Sequence, residues 1–239
     1  SQRYRDGEAD LPGVLYERSL TLTHEYYGTL QIGNFMSRGW NRADYPYASD
    51  RLHRFVLQGM RDNQAAFSDT PIRYIPYVEP ASGAGRGLLE ALGERSCVVV
   101  TDDFPCFFLP AAVSGAGARV SVRLEAVDGN GLIPLRASPR AYPAAVHFRR
   151  FMQSVLREHL AAEPVAAPRV DDLPGAAILP DVLFERWAPA SPALLDAAPS
   201  ALAGLPIDHG VGPVSMSGGS SAAQEALQSF VEHRLATYV

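Results

Sequence analysis

The stretch that most constrains this chain is Cys97 to Pro110, CVVVTDDFPCFFLP. Cys97 to Val100 are apolar and mostly β-branched, and such side chains fit a pleated surface better than a helix. A short apolar run without alternation suits a strand covered on both faces, as parallel strands in α/β proteins are. The run breaks at Thr101-Asp102-Asp103, where two carboxylates follow. In open α/β sheets ligands lie just outside the carboxyl ends of the strands. Asp102, Asp103 and Phe104 therefore stand where a binding cleft is expected. The competing reading is that one Asp N-caps a helix over Pro105–Val113.

The rest of the chain decides how many such strands there are. Residues 1 to 40 give weak signals, with short strands at Gly13–Tyr16 and Leu20–Tyr27 and bulky Tyr26, Tyr27, Phe35 and Trp40 that call for packing. Asp44 to Ala48, with Pro46, reads as a loop leading to a cap at Ser49. A helix then runs to about Phe67 with a stripe of Leu52, Phe55, Val56 and Met60. Ile72–Val78 is predicted as a strand with Pro76 inside it, hence an edge or a strand end. Gly83–Gly87 opens a short helix through Leu92, stopped at Gly93. Arg119–Val127 alternates as another strand, Asp128-Gly129-Asn130-Gly131 is a turn, and Leu132–Leu135 returns as a strand. Phe148, Phe151, Met152, Val155 and Leu156 mark a helix from about Pro143 to Leu160. Strands alternating with helices predict a Rossmann-like α/β domain with a doubly wound, mostly parallel sheet.

After Leu160 the pattern is lost. Nine prolines fall between Ala161 and Gly218, which reads as a long interdomain connection with helical turns at Leu183–Trp187 and Ala193–Ala197. Ile178, Leu179, Val182, Phe184 and Trp187 would want cover, so the connection is expected to wrap a domain surface. A last helix spans Ser220–Val239, with a capping box of Ser221 and Gln224 and an apolar face of Ala223, Leu227, Phe230, Val231 and Leu235. The expected organisation is a domain over 1–160, a connection over 161–217, and the start of a helical domain over 218–239.

Composition bounds the function. The net charge is −5 and all 21 basic residues are Arg, which argues against a chain gripping DNA through a broad basic face. No apolar run approaches the roughly 20 residues that span a bilayer, so no membrane partner is expected. SQRYRDGEAD has no apolar core of a signal peptide, and Ser1 is read as a processed or truncated start. Two cysteines, Cys97 and Cys106, make no disulfide framework, and a cytoplasmic location is expected. The six His are scattered with no zinc spacing, so no metal is expected.

Other candidates have blander readings. Gly83-Ala84-Gly85-Arg86-Gly87 invites a phosphate-loop reading, but it is neither GxGxxG nor a P-loop, and a flexible turn is the simpler account. Arg149 and Arg150 read as a solvated helix face or as salt-bridge partners, and His147 and His159 as structural. Asp44, Tyr45 and Tyr47 could line the same cleft as Asp102. Ser215–Ser221 reads as a hinge with no nucleophile elbow, since G-x-S-x-G is missing.

Three segments, Asp44–Met60 (DYPYASDRLHRFVLQGM), Val98–Pro110 and Val122–Leu135 (VRLEAVDGNGLIPL), resemble the N-terminal α/β domain of the photolyase/cryptochrome family. The likeness is nearest to class II cyclobutane pyrimidine dimer photolyases. It extends through the helix holding His147, Arg149 and Arg150, and resumes at Gly218–Tyr238, which is similar to the helix leading into the family's helical flavin domain. About 60% of the chain is covered. Residues 8–40 do not resemble the family's first helix and second strand, and the family's hydrophobic first strand before Ser1 is missing. The resemblance implies light-driven repair of pyrimidine dimers by the full two-domain protein. FAD and damaged DNA would be held by a helical domain, in cis or in trans. It also implies a deazaflavin-type antenna pigment in this half, for which Asp102, Asp103 and Phe104 are the candidates. No position matches the family's flavin- or lesion-binding residues, so no catalytic residue is carried over. The alternatives are a cryptochrome-like blue-light sensor without repair, and a stand-alone nucleotide-binding module using Gly83–Gly87.

Overall fold

The computed structural model describes residues 48–70, 72–81, 83–96, 98–103, 109–128, 133–161 and 178–238. The strands expected at Gly13–Tyr16 and Leu20–Tyr27, the loop over Asp44–Tyr47, Cys97, Phe104, Cys106 and the Gly129–Gly131 turn lie outside these residues. The described residues fall into two units, one within 92–161 and the other joining 48–91 to 178–238.

In the first unit, β1 (Val98–Asp102) and β2 (Arg123–Val127) pair in parallel, from Val98↔Arg123 to Asp102↔Val127. Val98, Val99 and Val100 are all buried, as a run covered on both faces requires. The strand continues through Thr101 and Asp102, two residues past the apolar run. The segment between the strands contains α3 (Leu109–Gly117), which packs on β2 and buries Ala112. A helix, α4 (Ala145–Leu160), follows with its expected stripe.

Among the described residues the doubly wound sheet is not formed. Among the described residues 51% are helical and the sheet has two strands. Ile72, Pro76, Tyr77 and Val78 are buried, but the segment makes no ladder. Pro76 has no N–H to give one, and its carbonyl accepts instead from the Ala190 N–H at 2.6 Å. Leu135, expected in a returning strand, starts a 3₁₀ turn over Leu135–Ala137. The backbone N–H of Arg136 there donates to the Asp128 carboxylate at 2.8 Å. A side-chain acceptor has replaced the ladder partner.

The second unit is built on α1 (Asp50–Phe67). Its buried face runs through His53, Leu57 and Met60, while Leu52 and Phe55 of the expected stripe are exposed. A histidine can enter the core because its Nδ1 lies 3.1 Å from the Ser49 carbonyl, so half its polarity is answered locally. Leu57 and Met60 pack with Ala48, Val78, Leu195, Ala197, Leu202, Leu205 and Ile207. Five of these come from the proline-rich region, which folds into α5 (Asp181–Arg186), α6 (Pro192–Leu195) and α7 (Pro199–Leu202). Pro192 and Pro199 sit in first turns, where no amide is needed. Leu179, Leu183 and Trp187 are buried as expected, but Ile178 and Val182 are exposed. A short helix, α2 (Leu88–Gly93), also precedes β1.

The final helix, α8 (Ser220–His233), is anchored rather than hinged. The Gly218 N–H donates to Gln58 Oε1 at 2.8 Å, and the Ser221 N–H to Asp62 Oδ2 at 3.0 Å. Asp62 of α1 thus serves where the Ser221–Gln224 capping box was expected; no side chain at the α8 N-cap position does so. The Ser221 amide holds the Asp62 carboxyl below its ordinary range. Gly219 has φ +96° and a Cβ there would run into Asp62, so only glycine suits this crossing. Leu227, Val231 and Leu235 of α8 remain exposed. No helix among the described residues is long and apolar enough to cross a membrane.

Leu195 is 1% exposed in this core and Leu227 is 62% exposed. Leu195→Ala is therefore expected to lower unfolding free energy by about 3 kcal/mol. Leu227→Ala should cost less than about 0.5 kcal/mol. Urea unfolding measures both, and equal small losses would contradict this assignment of the core.

Candidate functional site

The carboxyl ends of β1 and β2 are the first place to look for chemistry. The Asp103 N–H donates to the Val127 carbonyl at 2.8 Å, carrying the ladder one residue beyond the last strand pair. That leaves the Asp103 carboxylate at the strand ends, largely covered, where it accepts a hydrogen bond from Arg136 Nε. Asp128 takes the Arg136 backbone N–H, so the three residues form one braced corner. Asp103, followed by Asp128, holds the Arg136 guanidinium above its ordinary value. The N-terminal end of the helix expected over Pro105–Val113 lies outside the described residues, which resume with Leu109–Gly117.

Of the three candidates for the cleft, the structure describes the side chain of Asp103 alone. Asp102 closes β1 opposite Val127, and Phe104 lies outside the described residues. The partner Arg136 was not singled out from the sequence, because 33 residues separate it from Asp103. The Arg136 side chain is 72% exposed, so an open guanidinium face stands beside a fixed carboxylate. Such a pair can hydrogen-bond the polar edge of a heterocycle. Asp44, Tyr45 and Tyr47 lie outside the described residues.

The glycine loop resolves differently. Glu79 is 1% exposed, and its Oε1 accepts the Gly85 N–H at 2.8 Å, with the Gly83 amide adding to the same carboxylate. The amides that would cradle a phosphate already cradle an internal carboxylate. Trp187 Nε1 donates to the Ala84 carbonyl at 3.1 Å, closing the loop from its other side. Gly83 and Gly87 have φ of +84° and +88°, which explains the glycines without a ligand. The nucleotide-module reading loses its site.

Glu79 is nonetheless under electrostatic stress. Its Oε2 is buried with no hydrogen-bond partner, and burial pushes its pKa up against the two loop amides. The neighbouring Tyr77 hydroxyl is pushed up to about 12, by its own burial first and by the Glu79 charge second.

A cavity of about 450 Å³ in the same unit is lined by Asp50, Arg54, Asp196 and His209 among others. His209 Nδ1 lies 2.8 Å from Asp50 Oδ1, and Nε2 lies 3.1 Å from the Leu205 carbonyl. Both ring nitrogens face acceptors within the fold. His53 Nε2 is buried without a partner, and burial lowers the His53 pKa, keeping the ring neutral. Asp50 and His209 are 159 residues apart, a separation no local pattern can bridge. This cluster fastens the chain more than it equips it for chemistry. Among the described residues no group of three or more His, Cys, Asp or Glu could hold a metal. His147, Arg149 and Arg150 are exposed on α4, and the two arginines make no ion pair among the described residues.

No known protein-family model matches this sequence. No curated protein matches it either.

The raised pKa of Glu79 fixes the sign of a pH effect. Its contribution to stability is full below the ordinary value of 4.5 and is lost as pH rises through the raised folded value. Glu79→Gln should therefore gain on the native protein as pH climbs across that window, and be the more stable of the two at pH 7. Thermal melts from pH 4 to pH 8 measure this. A difference that stays constant with pH would show that the Glu79 carboxyl is not strained by burial.

Proposed function

We propose that the chain is the first part of a photolyase-like flavoprotein, which repairs cyclobutane pyrimidine dimers in DNA with light. The observation that carries the reading is the meeting of two family-like segments. Val98–Asp102 and Arg123–Val127 lie side by side in parallel, and their carboxyl ends bring Asp103, Asp128 and Arg136 together. In this reading an antenna pigment of the deazaflavin type would meet the Asp103–Arg136 pair, with the carboxylate accepting from and the guanidinium donating to its polar edge. The two cavities at Asp50–His209 and at Tyr142–Phe148 do not include Asp103.

FAD and damaged DNA belong, in the same reading, to a helical domain in cis or in trans. Bound there, reduced FAD would supply, on illumination, the electron for dimer cleavage. The residues of this half would orient the antenna and carry the domain that holds the flavin. A third family-like segment forms α1, and a fourth forms α8, which is pinned to α1 through Gln58 and Asp62. The location that fits two cysteines with no disulfide framework is the cytoplasm.

The test compares this chain alone with a polypeptide that continues into the helical domain. Each is illuminated with blue light on an oligonucleotide carrying one thymine dimer. Repair and flavin absorbance are expected only from the longer polypeptide, and Arg136→Ala should remove sensitisation by added deazaflavin while leaving direct flavin-driven repair. Absence of repair and of flavin in the longer polypeptide would refute the reading. FAD binding and repair by the 239-residue chain would refute its division of labour.

A further inference from the structure

The segment from Arg140 to Leu160 departs from the charge of the whole. The chain carries a net −5, yet this segment has four arginines against one acidic residue, Glu158. Arg140, Arg149, Arg150 and Arg157 make no ion pair among the described residues. Beside them is a cluster of three rings. Tyr142 lies 5.8 Å from Phe148 and 5.6 Å from Phe151, and the two phenylalanines are 6.3 Å apart. The Arg140 guanidinium sits 5.2 Å above the Tyr142 ring. Phe148 is 41% exposed, so the cluster is a shelf open to solvent and not a closed core. A cavity of about 400 Å³ adjoins it, with Ser138, Arg140, Tyr142, Pro143 and Phe148 in its lining.

We propose that this shelf binds single-stranded nucleic acid. An unstacked base would enter the cavity and lie against Tyr142 and Phe148, while Arg140 and Arg149 take the flanking phosphates. Rings that accept any base face, set beside unpaired cations, are the general means of holding a single strand without reading its sequence. A free aromatic face and a free guanidinium are each satisfied by water alone, but a nucleotide satisfies both together, through stacking and a charge-assisted hydrogen bond. A membrane-surface helix would set its cations on the face away from its apolar residues. Here Arg140, just before the helix, lies across the Tyr142 ring, so that cation and the ring share one surface. The proposal is independent of the photolyase-like reading, which gives damaged DNA to a helical domain.

The test is fluorescence anisotropy of a labelled twelve-nucleotide oligo(dT) titrated with the full chain. Binding is expected, with log affinity falling against log salt at a slope of about −2 to −3, as three or four neutralised phosphates require. Phe148→Ala should weaken binding roughly tenfold with the salt slope unchanged, since stacking is lost and charge is not. Arg149→Glu with Arg150→Glu should flatten the slope and remove most of the affinity. Circular dichroism checks that each variant is folded, and Arg119→Glu on the same unit serves as the charge control, expected to leave binding nearly unchanged. Equal affinity for an abasic oligomer would overturn the stacking shelf. Binding to vesicles of one part phosphatidylglycerol to three of phosphatidylcholine, without binding to oligo(dT), would overturn the nucleic-acid assignment altogether.

Discussion

Ile207 is fully buried, and the backbone that follows it has to find hydrogen-bond partners. It finds them on the far side of the sequence. The Asp208 N–H donates to the Ala48 carbonyl at 2.8 Å, and the Asp50 N–H to the Asp208 carbonyl at 3.2 Å, an isolated parallel bridge centred on Ser49. Arg51 continues it with an N–H to the Val211 carbonyl. Buried amides and carbonyls left unpaired cost about as much as a lost hydrogen bond each. The bridge is therefore what allows the proline-rich region to deliver Leu195, Leu202, Leu205 and Ile207 to α1. The His209–Asp50 contact lies at that same joint.

The same logic decides which acidic residues are structural. Asp62 stands in for a missing cap, and Glu79 stands in for a ligand in the glycine loop. Asp128 replaces a ladder partner for Arg136. In each case a carboxylate from one segment satisfies backbone N–H groups of another, which closes a loop and at the same time removes a site. Asp103 accepts from the exposed guanidinium of Arg136, and that guanidinium is why the corner at the strand ends keeps a functional reading and the glycine loop does not.

Local patterns in the sequence were legible where one short segment decides the outcome. The apolar run at Val98–Val100, the helix at Asp50–Phe67 and the helix at Ala145–Leu160 are formed as their periodicity implies. The larger sheet was not, and among the described residues the expected strands absent from it are Ile72–Val78 and the Leu135 end of Leu132–Leu135. Pro76 denies the first an amide, and the Asp128 carboxylate captures the second at Arg136. The face of α1 was misread for a related reason. Leu52 and Phe55 are as apolar as Leu57, and only the distant Leu195 and Ile207 determine which of them is covered. Half of the candidate corner, Asp103, was visible as a carboxylate at a strand end; Arg136 was not, since nothing local marks a pairing across a turn.

The central claim is that the joint at Asp208 and the α1 core form and fail as one structure. Native-state hydrogen exchange at rising urea tests it most directly, through the Asp208 amide, the Ala190 amide bonded to Pro76 and the Leu57 amide within α1. The account predicts that all three exchange only through a common opening, with the same free energy and the same dependence on urea. Exchange of Asp208 and Ala190 through low-energy local fluctuations, while Leu57 stays protected, would contradict it.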